Sequence, residues 1–118
     1  MRVKDAVGRH GEDVATAHLT TAGLRVVARN WRCSLGEIDI VAVDGDCLVV
    51  CEVKTRRSVS RGTPIEAVTP QKVRRLRRLA AVWLKAQDQW FASVRIDVVA
   101  VVQPRNGPPR VEHLRGVG

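Results

Sequence analysis

The sequence is poor in aromatic residues: it has three Trp, one Phe and no Tyr among 118 residues. Its core must therefore be built mainly from Val, Leu, Ile and Ala. No run of about 18 apolar residues occurs, so a membrane span is not expected. The first residues, "MRVKDAVGRHGED", lack the apolar segment of a secretory signal. These absences predict a single domain over residues 1–118, located in the cytoplasm and without membrane contact.

Cysteine and acidic residues are also scarce. The three cysteines show no CxxC spacing, which argues against a disulfide framework and against a zinc site. Twelve Asp and Glu stand against 20 Lys and Arg, which gives a formal net charge of +8. This balance favours a polyanionic partner, and nucleic acid ahead of an anionic membrane.

The hydrophobic pattern alternates between helical and strand spacing. Helical spacing is found at residues 5–23 and again from the Thr69-Pro70 pair, a typical helix start. Strand patterns are found at 24–33, at 37–54 as a hairpin, at 93–104, and at a short edge segment within 106–114. The order αβββαβ(β) predicts an α/β sandwich, with a mixed sheet flanked by helices.

The hairpin is apolar, yet it carries four charged residues. Glu37 and Asp39 lie on its first strand, and Glu52 and Lys54 on its second. Charges within a sheet are unfavourable unless they are paired or bind a metal. Two interpretations follow: a solvated face with Glu52 and Lys54 as a surface pair, or a functional site.

The register of the hairpin decides between these interpretations. A two-residue loop at Asp44-Gly45 is the strongest turn signal in the chain, and it would pair Val43 with Asp46. Asp39 and Glu52 would then be diagonal neighbours on one face of the sheet. A slip of one residue would place them on opposite faces. The turn therefore favours a site.

Two neighbouring carboxylates are typical ligands of Mg²⁺ or Mn²⁺, which complete their coordination with phosphate oxygens and water. Lys54 would hold a phosphate or help to deprotonate the attacking water. Asp39, Glu52 and Lys54 in this pattern suit metal-assisted hydrolysis of phosphodiester bonds.

At these residues the sequence resembles the D-x(n)-E-x-K core of PD-(D/E)xK nucleases, although Ile38 stands where the full signature has Pro. A longer set of motifs is more specific: "GEDVA", "ARNWR", "GEIDIVAVDG", "CEVKTRRS" and "RIDVVAV". Together they resemble the YraN family of small bacterial endonuclease-like proteins, related to Holliday-junction resolvases. The resemblance extends from about Gly8 to His113.

The resemblance implies a restriction-endonuclease-like fold and a catalytic set of Asp39, Glu52, Lys54 and Glu12. Asp39, Glu52 and Glu12 would bind the metal, Mg²⁺ or Mn²⁺. Glu12 also has a simpler interpretation as a surface acid near a helix N-terminus, where negative charge is favourable. The role of Glu37 is left open.

Basic residues follow the hairpin and cover much of the second helix. They are expected to contact DNA phosphates, with a merely solvated surface as the alternative. The predicted nucleic-acid-binding residues are Arg56, Arg57, Arg61, Lys72, Arg74, Arg75 and Arg78.

Other polar and aromatic residues are given structural roles. Asp97 is interpreted as structural, either paired with Arg95 or marking the end of the buried part of its strand. The three histidines, at positions 10, 18 and 113, show no ligand spacing, so surface or packing roles are predicted. The three Trp residues are interpreted as core or dimer contacts.

Two functions follow from these features. The first is a metal-dependent endodeoxyribonuclease acting on DNA, including branched or structured DNA. The second is a non-catalytic nucleic-acid-binding module on a nuclease fold. A scaffolding protein fits the basic charge poorly. A two-fold dimer is expected by analogy with resolvases, which cut a junction at two points.

Overall fold

The computed structural model describes residues 6–58, 66 and 68–118. Its elements follow the order αβββαββ, so the predicted order is confirmed, including the short edge strand. The arrangement is α/β and is compatible with a restriction-endonuclease-like fold. The elements are α1 (Ala6–Thr21), β1 (Arg25–Cys33), β2 (Gly36–Asp44), β3 (Cys47–Arg56), α2 (Pro70–Lys85), β4 (Ser93–Val102) and β5 (Arg110–Leu114).

The strands form one mixed sheet in the order β1-β2-β3-β4-β5. β3 and β4 are parallel, and the other neighbours are antiparallel. A parallel pair needs a crossover connection, and α2 lies within the connection between β3 and β4. The charged hairpin β2–β3 is therefore central, while β1 and β5 form the edges.

The two helices contribute to separate cores. Ala15 and Leu19 of α1 pack with one set of strand residues, and Leu76, Leu79 and Trp83 of α2 pack with another. The middle strands bury apolar residues in both cores, which explains why they read as nearly continuous apolar runs.

Helix α2 begins as the sequence predicts. The Thr69 hydroxyl accepts a hydrogen bond from the Lys72 N–H at 3.1 Å, and Pro70 is the first helical residue. Within the described residues, no helix combines the length and the apolarity that crossing a membrane would require.

The predicted hairpin register is wrong by two residues. The structure pairs Asp44 with Cys47 and Val43 with Leu48, so the loop is Gly45-Asp46. Gly45 has φ +62°, and a turn with glycine at its first central position accepts this conformation. A shift of two residues preserves strand alternation, but alternation along β2 is interrupted at Asp39, because Ile38 packs in the α2 core and Ile40 in the α1 core. The common face of Asp39 and Glu52 therefore stays a prediction.

Candidate active site

The β2–β3 ladder ends where the charged residues begin. Its last pair is Ile40 with Cys51. Asp39 is the next residue on β2, and its Oδ2 accepts a hydrogen bond at 2.9 Å from the N–H of Val53, which lies two residues beyond Cys51 on β3. Asp39 is 5% exposed, so this bond is made away from solvent. Here the Asp39 carboxylate, and not a backbone carbonyl of β2, accepts the hydrogen bond from β3.

This bond joins the two halves of the sequence motif. Val53 is the middle residue of Glu52-Val53-Lys54, and Asp39 is the acid that precedes this segment in the chain. The β2–β3 pairing stops at Ile40 and Cys51, so Asp39 and Glu52 are the first residues beyond the last pair on their strands. Asp39 is therefore fixed against the segment with which the sequence predicts that it acts.

Glu52 is half-buried and paired with cations of α2. One carboxylate oxygen lies 3.1 Å from Lys72 Nζ, and the other lies 3.8 Å from Arg75 Nη2. Alternation along β3 accounts for this, since Leu48 and Val50 belong to the same core as α2. These ion pairs join residues far apart in sequence, and no local pattern predicts them.

Lys54 lies on the same side of β3, two residues beyond Glu52. Burial lowers its pKa, and the neighbouring charge of Lys72 lowers it further, while Glu52 acts in the opposite direction. The net effect is a pKa below the ordinary value for lysine. A lowered pKa makes the amine a better acceptor of a proton near neutral pH.

Glu12 is buried, being 2% exposed, so its interpretation as a surface acid is wrong. Its Oε1 accepts a hydrogen bond from Asn30 Nδ2 at 2.9 Å and lies 3.7 Å from Arg29 Nη2. Asn30 has φ +53°, a left-handed conformation that asparagine tolerates better than most residues. Glu12 is thus held by β1.

Gly11 brings α1 close to β3. A Cβ added at Gly11 would lie 2.8 Å from the Cβ of Thr55, a distance that real side chains do not adopt. The absence of a side chain therefore allows the helix to approach the strand at the residue that precedes Glu12. This explains why a glycine occupies a buried position inside a helix, where it is otherwise unfavourable.

The predicted metal set is only partly supported by the chemistry of its residues. Among residues 6–58, 66 and 68–118, no three His, Cys, Asp or Glu side chains are grouped so that they could hold a metal ion. Mg²⁺, however, often takes only one or two protein carboxylates. Asp39 and Glu52 fit such a two-carboxylate site, and the role of Glu12 as a third ligand remains a prediction.

Two hollows adjoin Glu52. The first, which we call the Glu52 hollow, has a volume of about 300 Å³ and is lined by Glu52, Glu37, Arg32 and Arg75, among others. The second, the basic hollow, has a volume of about 430 Å³ and is lined by Leu35, Thr69, Gln71, Lys72, Arg75 and Arg78. Leu35 and Arg75 line both hollows, so the two are neighbours.

The predicted basic residues of α2 are divided between two sides of the helix. Lys72, Arg75 and Arg78 line the basic hollow next to Glu52. Arg74 instead lines a hollow of about 490 Å³ beside Val117, near the end of the chain. Helical spacing explains the division, because residues three apart share a face and adjacent residues do not.

The remaining predicted nucleic-acid-binding residues lie beyond the Glu-Val-Lys segment. Arg56 is the last residue of β3 and is half-buried, and Arg57 is exposed. Arg61 lies outside the described residues. The position of Arg56 is fixed through its backbone, since its carbonyl accepts a hydrogen bond from the Gln103 N–H at 2.8 Å.

Two groups of residues were missed in the sequence. Arg32, near the end of β1, and Leu35, in the β1–β2 turn, line the Glu52 hollow, and the open role of Glu37 was the one signal that pointed there. The second group surrounds Asp97, which Arg95 contacts as predicted and to which His113 also bonds at 2.7 Å. His113 lies on a later strand, and no local sequence pattern indicates this pairing.

Comparison with known proteins gives one consistent result. A family model described as "Uncharacterised protein family UPF0102" matches residues 11–101. A UPF0102 protein of Kineococcus radiotolerans is 63% identical over 118 residues, covering 99% of this chain and 97% of that protein. One from Beutenbergia cavernae is 60% identical, with both chains fully covered. One from Pseudarthrobacter chlorophenolicus is 56% identical, covering 99% and 89%.

Proposed function

This chain belongs to the UPF0102 family, which is the YraN family that its motifs resemble, and we propose that it is a metal-dependent nuclease acting on DNA. The observation that carries the proposal is the hydrogen bond from the Val53 N–H to Asp39. It fixes the first acid of the motif against the Glu-Val-Lys segment, beside a hollow whose lining includes two arginines and two glutamates.

The proposed metal site uses Asp39 and Glu52 as ligands, with Glu12 as a further candidate. A bound Mg²⁺ or Mn²⁺ would activate water and stabilise the negative charge that develops on the phosphate. Asp39 is already oriented by its bond to the Val53 amide, so its carboxylate needs little reorganisation. Glu52 must first leave its cationic partners on α2.

Lys54 is proposed to act on protons near the attacked phosphate. Its lowered pKa, caused mainly by burial, allows it to take a proton from water more readily than an exposed lysine does. Lys72, Arg75 and Arg78 would hold the DNA backbone in the basic hollow, because Lys and Arg recognise phosphate by charge and hydrogen bonds. Arg56 and Arg57 would contact phosphates further along.

A second candidate function is a nucleic-acid-binding module without catalysis. The ion pairs of Glu52 favour it, because a carboxylate that is paired with Lys72 and Arg75 is not available to a metal. A dimer, branched DNA as the substrate and the choice of Mg²⁺ stay predictions for both functions.

A cleavage assay on junction, flap, single-stranded and duplex DNA, with Mg²⁺, Mn²⁺ or a chelator, separates the two functions. We expect metal-dependent cleavage that Glu52→Gln abolishes, and that Lys54→Ala lowers by a factor on the order of 10² to 10⁴ through the loss of proton transfer. Matched controls are Glu112→Gln on β5 and Lys85→Ala at the end of α2, both at exposed positions.

The controls should retain cleavage. Binding of DNA by the wild-type protein, without cleavage of any substrate under any metal condition, would replace the nuclease with the binding module. Cleavage that survives both Glu52→Gln and Lys54→Ala would exclude this site as its source.

A further inference from the structure

The cations that hold Glu52 also line the basic hollow. Lys72 Nζ lies 3.1 Å from Glu52, and Arg75 Nη2 lies 3.8 Å from it. Together with Arg78 they occupy successive positions three residues apart on α2, about 4.5 Å along the helix axis. The carboxylate thus stands beside the first two members of a row of three cations.

We propose that Glu52 is an internal substitute for a nucleic-acid phosphate. In the free protein Glu52 pairs with Lys72 and Arg75, and a phosphate that enters the basic hollow takes these two cations from it. The proposal rests on the proposed function, and it adds that substrate binding controls whether Glu52 is available.

The geometry allows this exchange without movement of the backbone. Lys72 and Arg75 reach Glu52 with long flexible side chains, and such side chains change direction while their helix stays in place. Arg75 lines both the Glu52 hollow and the basic hollow. It therefore lies between the carboxylate and the hollow that a phosphate would enter. A backbone phosphodiester carries one negative charge over two non-bridging oxygens, as a carboxylate does over its two oxygens, so it can take the place of Glu52 between the two cations.

The exchange also affects the candidate metal site. No group of three ligands is formed among the described residues while Glu52 is paired with α2. Once a phosphate has taken Lys72 and Arg75, the half-buried Glu52 has lost both ion-pair partners, which is unfavourable even with Lys54 close by. A divalent cation restores the balance of charge, so binding of DNA promotes binding of the metal.

A double-mutant cycle in chelator tests the exchange. Binding of a fluorescein-labelled DNA duplex is measured by anisotropy for the wild type and for Glu52→Gln. We expect Glu52→Gln to tighten DNA binding about fivefold, because Glu52 then no longer competes with the DNA phosphates for Lys72 and Arg75. A fivefold change corresponds to the free energy of one partly buried ion pair. The same substitution is then made in two backgrounds that each lose two positive charges.

The first background is Lys72→Gln with Arg75→Gln, and the second is the matched control Arg74→Gln with Lys85→Gln. The gain from Glu52→Gln should vanish in the first background and persist in the second. An equal gain in both would overturn the proposal, because Glu52 would then act only as a general negative charge. Glutamine keeps the helix propensity of α2, so both backgrounds are expected to fold.

Binding of Mn²⁺ without DNA, measured by calorimetry, is the second readout. Lys72→Gln with Arg75→Gln should bind Mn²⁺ more tightly than the matched control, and equal affinities would overturn the link between the exchange and the metal. The anisotropy cycle contains chelator and involves no cleavage. A protein that cleaves nothing would therefore contradict the nuclease function without affecting the result of the binding cycle. A binding cycle without the expected difference would contradict the exchange without affecting the nuclease function.

Discussion

Asp97 and Glu52 are both acidic residues within apolar strands, but their surroundings differ. Asp97 is fully buried. Its carboxylate accepts hydrogen bonds from Arg95 Nε at 2.9 Å, His113 Nε2 at 2.7 Å and the Gly116 N–H at 2.9 Å. These donors belong to β4, to β5 and to the segment that follows β5. Asp97 thus joins the edge of the sheet to the last residues of the chain.

Glu52 has partners of another kind. It is 12% exposed, lines a hollow, and is held by long side chains of α2, the helix of the β3–β4 crossover. Its partners can move toward solvent, whereas a backbone amide and a buried histidine cannot. A carboxylate held by a backbone amide, a buried histidine and an arginine of its own strand is part of the framework, whereas one held by mobile cations can be released when those cations bind elsewhere.

Replacement of the two acids by alanine should give the largest difference between them. Asp97→Ala leaves His113 and the Gly116 amide without their buried acceptor, so we expect a loss of about 3 kcal/mol in the free energy of unfolding. Glu52→Ala should cost about 1 kcal/mol or less, because Arg75 and Lys72 can turn to solvent. Urea denaturation measures both values.

Asp46→Ala is the control for this pair, since Asp46 is exposed in the β2–β3 loop. It should change the stability by no more than about 0.5 kcal/mol. Equal losses for Asp97→Ala and Glu52→Ala would break the comparison, because Glu52 would then belong to the framework as well.

Gly11→Ala should have the next largest effect. Alanine at a helical position is normally more favourable than glycine, but here its Cβ would collide with Thr55. We expect a loss of about 1–3 kcal/mol from overpacking, together with displacement of α1 from β3. Urea denaturation of Gly11→Ala, with and without Thr55→Gly, measures the effect.

Thr55→Gly removes the opposing side chain, so it should recover part of the loss caused by Gly11→Ala. A neutral or stabilising Gly11→Ala would show that α1 does not need its close approach to β3. The position of Glu12 beside Asn30 would then have to depend on other contacts.

Much of the fold could be predicted from the sequence because its signals are local. Apolar periodicity gave both helices and the strands, and Thr69-Pro70 marked the start of α2. The hairpin was predicted, but its register was two residues off, because Gly45 occupies the first loop position rather than the second. The shift equals one full period, but Ile38 and Ile40 lie in different cores, so the alternation on which the predicted face of Asp39 depended is interrupted there.

The candidate site was less predictable, because its contacts join distant parts of the chain. The sequence placed Asp39 near Glu52-Val53-Lys54, and the structure adds the bond to the Val53 amide. The pairing of Glu52 with Lys72 depends on how α2 packs on the sheet, which no local pattern specifies. The pairing of β4 with β5 brings His113 to Asp97, and no local sequence pattern predicts the register of these strands.

The smallest expected effect is a difference in pH dependence. Burial alone would raise the pKa of Asp97, but hydrogen bonds from Arg95, Gly116 and His113 outweigh it and hold the pKa below the ordinary value of 3.8. The ionised carboxylate therefore stabilises the folded state above that value. As the pH falls through it, the unfolded chain takes up a proton first, and this contribution is lost.

Asp97→Asn removes the titrating group while keeping a side chain of the same size. The free energy of unfolding, measured in urea at a series of pH values on either side of 3.8, should fall more steeply with acid in the wild type than in Asp97→Asn. Other acids and histidines titrate in both proteins, so the difference between the two slopes isolates Asp97. Identical slopes would mean that the hydrogen bonds of Asp97 do not favour its ionised form, and the contrast with Glu52 would then rest on burial alone.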